Sequence, residues 1–403
     1  MTLPLGISFG YRSCARNVAL LLLVGALLGA PRLGVARSRI GPALLAFLLA
    51  AALSIAVTGG AWANFGLLAT AVGLFYVART LSDGPDGALW LFHWLGLLTI
   101  AILAREVLHD PAVLGLRAAN RLTLVTDNPN TIGFVLALLT PIFLAGTLCA
   151  DRRVAAWIYA AASALAVVIT FSRAAWLALA LGTGAFALAC GGRRCRAGVG
   201  AIIVAATATA VLATGYLSLA RTEADAQRLR IIAASLSLFR EHWLVGVGFG
   251  SRNLEQVFPA RYLELHGESL FLFHSHNLFV DILTGTGLIG AIASAHLLLT
   301  LLGVARRGMI LARDRQGRSE AIAYVISIGV FLVAGSADMP LYHGRLVLVL
   351  AIVWGMMESA GMRRSLAGAQ KSGIDSAVAT EESPYARRRA PAPGLLTTFV
   401  RPA

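Results

Sequence analysis

The sequence predicts an all-α, polytopic membrane helix bundle of about 11–12 transmembrane helices with one large loop outside the bilayer. Three observations carry that expectation. Of 403 residues, 58% are hydrophobic and only 13% charged, and the mean hydropathy is +0.75, a balance that makes lipid the solvent. Apolar runs without charge recur along the chain, most of them near the ~20 residues a helix needs to cross a ~30 Å hydrocarbon core. One stretch, residues 217–277, breaks the pattern with a density of arginines and carboxylates that hydrocarbon does not accept.

The runs fall at 18–30, 40–58, 61–78, 87–104, 131–149, 154–170, 174–190 and 197–216, then at 278–304, 320–337 and 344–360. Helices are expected throughout, because a helix satisfies its own backbone groups where no water is present. The expected organisation is an N-terminal set of spans over 1–216, the polar loop 217–277, a C-terminal set over 278–361, and a tail over 362–403. That tail is rich in Ser, Ala, Pro and Arg with little apolar periodicity, and it reads as disordered. The first run follows Arg12 and Arg16 without a small-residue cleavage site, so a retained anchor helix is expected rather than a signal peptide. No repeat of 20–50 residues is visible, which argues against a solenoid.

A net charge of +14 would suit a nucleic-acid binder, but its distribution argues against that partner. Arg152-Arg153, Arg193-Arg194 and Arg306-Arg307 sit in short connections between apolar runs, the placement that keeps a face of the membrane cytoplasmic. Arg32, Arg37, Arg39, Arg313, Arg315, Arg318 and the tail cluster Arg387-Arg388-Arg389 fall on the same face. The connections 105–130, 171–173, 217–277 and 338–343 then face outward. An odd number of spans puts the N-terminus outside, against the preference of Arg12 and Arg16. The four cysteines, Cys14, Cys149, Cys190 and Cys195, have the spacing of neither a disulfide framework nor a zinc site.

Chemistry is expected on the outward face. Phe273-His274-Ser275-His276-Asn277 brings imidazole to the start of a span, where it can accept a proton from a hydroxyl nucleophile near neutral pH. The bland alternative is a pair of interfacial histidines that solvate a loop end. A His-x-His zinc site is a third reading, but no cysteine lies on that face and Glu268 and Asp281 lack diagnostic spacing, so no metal and no cofactor is expected. Arg173, in Thr170-Phe171-Ser172-Arg173, interrupts two apolar runs on a face where orientation does not call for it. A guanidinium there suits an oxyanion such as phosphate, with a snorkelling side chain as the plain alternative. Arg228 and Arg230 precede apolar residues at helical spacing, an amphipathic interfacial helix, which leads into Gly246-Val247-Gly248-Phe249-Gly250. Without a Walker lysine, that glycine run reads as a tight turn and not as an ATP site. Arg121, ahead of the turn Asp127-Asn128-Pro129-Asn130, could add to an anion site or belong to a solvated loop.

Taken in order, these segments resemble the O-antigen ligase and O-antigen polymerase superfamily of bacterial envelope enzymes. The sharpest element is the pattern His-[Asn/Ser/Gln], nine residues, Gly-x-x-[Gly/Thr/Tyr], which His276-Asn277 with Gly287 and Gly290 satisfies; starting from His274 it ends on Leu288. Two positions depart from the family: Trp243 stands where a proline usually precedes the glycine-rich turn, and Ile232 where an aromatic usually follows the loop arginine. The resemblance implies a metal-independent transferase in the bacterial inner membrane, with 217–277 as a periplasmic catalytic loop and 362–403 cytoplasmic. Its donor would be a polyprenyl-pyrophosphate-linked glycan and its acceptor a lipid A core sugar or a second lipid-linked glycan, among membrane lipids. It implies His276, Arg173 and Arg228 as catalytic residues, with Arg121, Arg230, His274 and Asn277 contacting pyrophosphate or glycan. The reading from another class is a secondary transporter or flippase for a polar solute, which would place ionisable residues or broken helices at the midplane. The span centres are nearly uncharged, His93 being the clearest exception, and the polar groups gather at the outer surface instead.

Overall fold

The computed structural model describes residues 38–109, 111, 128–190, 192, 200, 222–272, 274–338, 340–342 and 344–381. Among these residues there are eleven α-helices, one 3-10 turn and no strand. They are α1 (Ile40–Thr58), α2 (Ala63–Leu81), α3 (Pro85–His109), α4 (Pro129–Gly146), α5 (Arg153–Ile169), α6 (Arg173–Cys190), α7 (Thr222–Glu241), α8 (Ser251–His266), α9 (Leu278–Leu311), α10 (Arg315–Gly335) and α11 (Gly344–Glu381). Eight helices are long and apolar enough to cross a membrane, and α5 is an apolar helix of slightly shorter length. The expected span at 18–30, that at 197–216 apart from residue 200, and Arg121 lie outside the described residues.

Helix α4 is the hub. Asn128 accepts a hydrogen bond from the Asn130 N–H at 2.9 Å and Pro129 occupies the first turn, so one orphan donor is capped and the proline's missing N–H costs nothing. From Thr131 to Gly146 every residue is buried, and α5, α6 and α10 pack around it. Pro141 cannot donate to the helical ladder, and hydroxyls supply polar partners in the turn before it. Ser163 Oγ donates to the Leu136 carbonyl and Ser327 Oγ to the Leu138 carbonyl, each at 2.8 Å. In an apolar interior such donors replace the water that is absent.

Helix ends sort onto two faces. On one, the buried Glu358 carboxylate of α11 closes the start of α1. It accepts from Ser38 Oγ at 2.7 Å, from the Arg39 N–H, and from the Ile40 N–H at 3.3 Å, and Arg79 Nε lies 3.4 Å away. A carboxylate at a helix N-terminus is favoured by the exposed N–H groups there. Arg152 and Arg364 meet Glu320 on the same face. Between these ends α2 and α11 approach so closely that a Cβ on Gly355 would lie 2.6 Å from the Phe75 carbonyl oxygen, the small-residue packing typical of membrane helices. On the opposite face α1 ends, α4, α6 and α9 begin, and the segment 222–277 is seated.

The tail differs from the sequence expectation. Where composition pointed to disorder from 362, α11 continues to Glu381. Its Ala, Leu, Gln and Lys content sustains a helix already nucleated by the packed span.

Removing the Glu358 charge takes away the buried carboxylate that faces the Arg79 guanidinium. Glu358→Ala is therefore expected to destabilise the protein by about 3–5 kcal/mol. Thermal unfolding of the purified protein measures this, and the paired replacement Arg79→Met with Glu358→Leu is expected to recover only the part due to the charge, because the α1 donors stay uncapped.

Candidate functional site

The segment 222–272 builds a small core of its own. Ile231, Ala234 and Leu238 of α7 pack against Val247, Leu254, Phe258 and Tyr262, which is the apolar face expected behind Arg228 and Arg230. Residues between α7 and α8 form the tight turn, with Gly246 at φ 73°. A Cβ at Gly246 would stand 2.5 Å from the Gly285 carbonyl carbon, so only glycine fits.

This turn docks into a break in α9. Gly287 has φ 63° and ψ −161°, a region essentially restricted to glycine, and the helical ladder is interrupted there. The freed backbone groups find partners in the turn. Val247 N–H donates to the Thr284 carbonyl at 2.8 Å and Gly248 N–H to the Gly285 carbonyl at 3.1 Å. In return Leu288 N–H donates to the Trp243 carbonyl at 2.8 Å and Ile289 N–H to the Leu244 carbonyl at 3.2 Å. Trp243, the departure from the family pattern, contributes its backbone carbonyl, an acceptor that any residue offers, the usual proline included. Gly290 completes the pattern, since a Cβ there would fall 1.8 Å from Thr286 Oγ1.

The histidine loop leads into the same helix. Asn277 caps α9 by accepting from the Phe279 and Val280 N–H groups at 3.0 and 3.2 Å, and its amide donates to the Ser336 carbonyl at 3.1 Å. Ser275 N–H donates to the buried Asp281 carboxylate at 2.8 Å. Held between these anchors, His276 adopts φ 57°, an uncommon conformation for a residue with a Cβ and one that costs energy unless its surroundings enforce it. The His274 and His276 rings stand edge to face, centroids 4.3 Å apart.

Both rings turn toward Asp338, in the connection after α10. His274 Nε2 lies 2.9 Å and His276 Nδ1 3.5 Å from Asp338 Oδ1, and the carboxylate is 1% exposed. Its other oxygen accepts from Asn130 Nδ2 at 3.2 Å, which ties the start of α4 into the site. Burial would push the His274 pKa down, but the Asp338 carboxylate and the Asp281 charge behind it outweigh burial, and the pKa rises above its usual 6.5. The donor atoms of His274, His276 and Asp338 lie within 4.8 Å of one another.

The structure thus gathers His274, His276 and Asn277 of the expected site residues. Arg173 stands exposed at the start of α6, beside the N-terminal turns of α4, where a Cβ on Gly133 would lie 2.5 Å from Ala175 Cβ. Arg228 is half-buried on α7. Ser235 meets Thr284 and Trp243 meets Leu288, so α7 runs in the same sense as α9 and carries Arg228 toward the histidine end. Arg230 is engaged elsewhere, with Nη1 2.8 Å from Glu268 Oε1 on the surface. Sequence reasoning missed Asp338, although a signal existed: it is the sole carboxylate between residues 321 and 357. Beside the cluster, Leu44, Phe47, Phe75, Leu278, Leu341 and Trp354 help enclose an apolar cavity of about 320 Å³.

Residues 158–295, from within α5 to within α9, match the family model described as O-antigen ligase (Wzy_C). The match includes Arg173, Arg228, both site histidines and the Gly287 break. No curated protein matches the chain.

Gly287→Ala would force a Cβ to within 2.4 Å of the Leu244 carbonyl carbon at a backbone conformation costing about 1–3 kcal/mol for other residues. Limited proteolysis is expected to cut the 243–250 turn faster in this variant. Gly303→Ala, at a position with open space around it, is expected to leave the digestion pattern unchanged.

Proposed function

We propose, from the O-antigen ligase match over residues 158–295 and the construction of the histidine loop, that the chain transfers a polyprenyl-pyrophosphate-linked glycan to an acceptor hydroxyl. The reaction takes place at the outer face of the bacterial inner membrane, with 217–277 periplasmic. The observation that carries this reading is His276, held at a strained φ of 57° beside the buried Asp338 at the mouth of an apolar bundle. Strain of this kind persists where surrounding structure enforces it and clusters at functional sites.

In the reaction the acceptor oxygen attacks the anomeric carbon. The bond from that carbon to the pyrophosphate oxygen breaks, and its electron pair leaves with the pyrophosphate. With Nδ1 turned to Asp338, the His276 Nε2 lone pair accepts the hydroxyl proton. The Asp338 carboxylate, 3.5 Å behind the imidazole, supports the positive charge that develops on it. Positive charge near the departing diphosphate lowers the barrier where negative charge accumulates. Arg173 and Arg228 take that role, and Arg121 contacts glycan or pyrophosphate, while Arg230 is held by Glu268. Guanidinium groups bind phosphate oxygens bidentately, so the transfer itself proceeds without a metal. The apolar cavity lined in part by Leu278 and Leu341 suits the isoprenoid chain, since Leu278 directly follows the histidine loop. The acceptor is a lipid A core sugar or a second lipid-linked glycan.

Reconstitution with a lipid-linked glycan tests this directly. His276→Ala is expected to lower the transfer rate by about 10²–10⁴-fold and Arg173→Ala by about 10²–10³-fold, both at unchanged membrane levels; unchanged glycan transfer in both would refute the reading. A single product with a lipid A core acceptor identifies a ligase, and a ladder with lipid-linked acceptor a polymerase. Ser294→Trp, which fills the cavity wall, is expected to raise KM about tenfold for a long-chain donor and to spare a short-chain one.

A further inference from the structure

The geometry points to a second use of the histidine cluster: we propose that His274 Nε2, His276 Nδ1 and Asp338 Oδ1 bind one divalent transition-metal ion of the zinc class, and that the bound ion switches transfer off. The inhibitory half rests on the proposed role of His276; the binding half does not.

Four observations support the site. First, the donors converge. Zinc bonds of ~2.0–2.2 Å in tetrahedral geometry place neighbouring donor atoms roughly 3.3 Å apart, and the two histidine nitrogens lie 2.9 and 3.5 Å from the same carboxylate oxygen. Second, the ring planes are inclined at 70°, so two imidazole lone pairs can aim at one point without stacking. Third, the outer partners are in place. Asn130 binds Asp338 Oδ2 and Oδ1 faces the rings, while Asp281 and the Asn277 cap fix the loop. Such hydrogen bonds to and around ligands orient a metal site. Fourth, His276 Nδ1 is buried without a hydrogen-bond partner among the described residues, although its side chain as a whole is 26% exposed, which leaves a route for an ion.

The donor set selects the ion. Two imidazole nitrogens and one carboxylate oxygen suit zinc, copper or nickel, whereas magnesium and calcium demand more oxygen ligands. The sequence alone argued against zinc for lack of a third ligand at a diagnostic spacing. Asp338, 62 residues beyond His276 in the chain, supplies it through folding. Coordination through Nδ1 fixes the remaining ring proton on Nε2, so a metal-bound His276 has no lone pair with which to accept the acceptor's proton.

The test uses the purified full-length protein in detergent. After chelator treatment, zinc is added from a buffered solution and the bound metal is counted by elemental analysis, with cobalt(II) titrated in parallel. The expected result is one zinc per chain and the intense visible absorption of tetrahedral cobalt. Asp338→Asn and His274→Gln are each expected to weaken binding at least about tenfold, and His296→Gln on the exposed side of α9 to leave it unchanged. No bound zinc and no cobalt spectrum in the unaltered protein, or binding indifferent to both ligand substitutions, overturns the site. Glycan transfer is then assayed with chelator and with zinc. Full transfer in chelator with loss on adding zinc is expected. Transfer that zinc leaves untouched, or that requires zinc, overturns the inhibitory role, while absence of transfer under both conditions counts against the transferase reading and leaves the binding result standing on its own.

Discussion

The arrangement of the loop face depends on one interruption in one helix. At Gly287 the backbone of α9 leaves helical geometry, and in a bundle without water the released carbonyls and N–H groups must be answered by protein. The turn after α7 answers them with four backbone hydrogen bonds. Because those bonds join a loop to a membrane helix, they also fix how α7 and α8 sit on the bundle, and hence where Arg228 is carried. Ser54 of α1 donates to the Gly285 carbonyl at 2.6 Å, so the same break anchors the first described helix.

Buried carboxylates organise both ends of the bundle, in different ways. Glu358 is surrounded by donors from the start of α1 and by Arg79, an arrangement of fixed charges that locks α1, α2 and α11 together. Asp338 faces two imidazoles, groups whose protonation and ligation change near neutral pH. Burying a charge is expensive unless it is paired and hydrogen-bonded. Fixed partners make such a pair a clamp, and titratable partners make it a place where chemistry can occur.

That distinction bears on how the proposed transfer reaction would be controlled. An imidazole that accepts a proton from an alcohol has the lone pair a transition metal also seeks, and the carboxylate that orients it is a ready ligand. A site built for proton transfer beside a carboxylate is therefore close in composition to a metal site, and what separates them is the spacing of the donors. Here the two histidine nitrogens stand 2.9 and 3.5 Å from Asp338 Oδ1, near what zinc requires.

Several features were legible in the residues themselves. The spans near 40–58, 131–149 and 174–190 announce helices because hydrocarbon allows few alternatives, and Asn128-Pro129 marks a helix start by local capping chemistry alone. The glycine run 246–250 reads as a turn for the same local reason. The helical course of 362–381 was not legible, because composition speaks to average propensity and a packed span supplies the nucleus that the tail lacks. Nor was the engagement of Arg230 by Glu268, or the meeting of Asp338 with His274 and His276. Sequence determined this protein's helices, its solvent and its stock of reactive side chains, since those follow from local and periodic properties. Which carboxylate stands behind the histidines was decided by tertiary structure, because that pairing depends on how α4, α9 and α10 pack and not on the separation of residues along the chain.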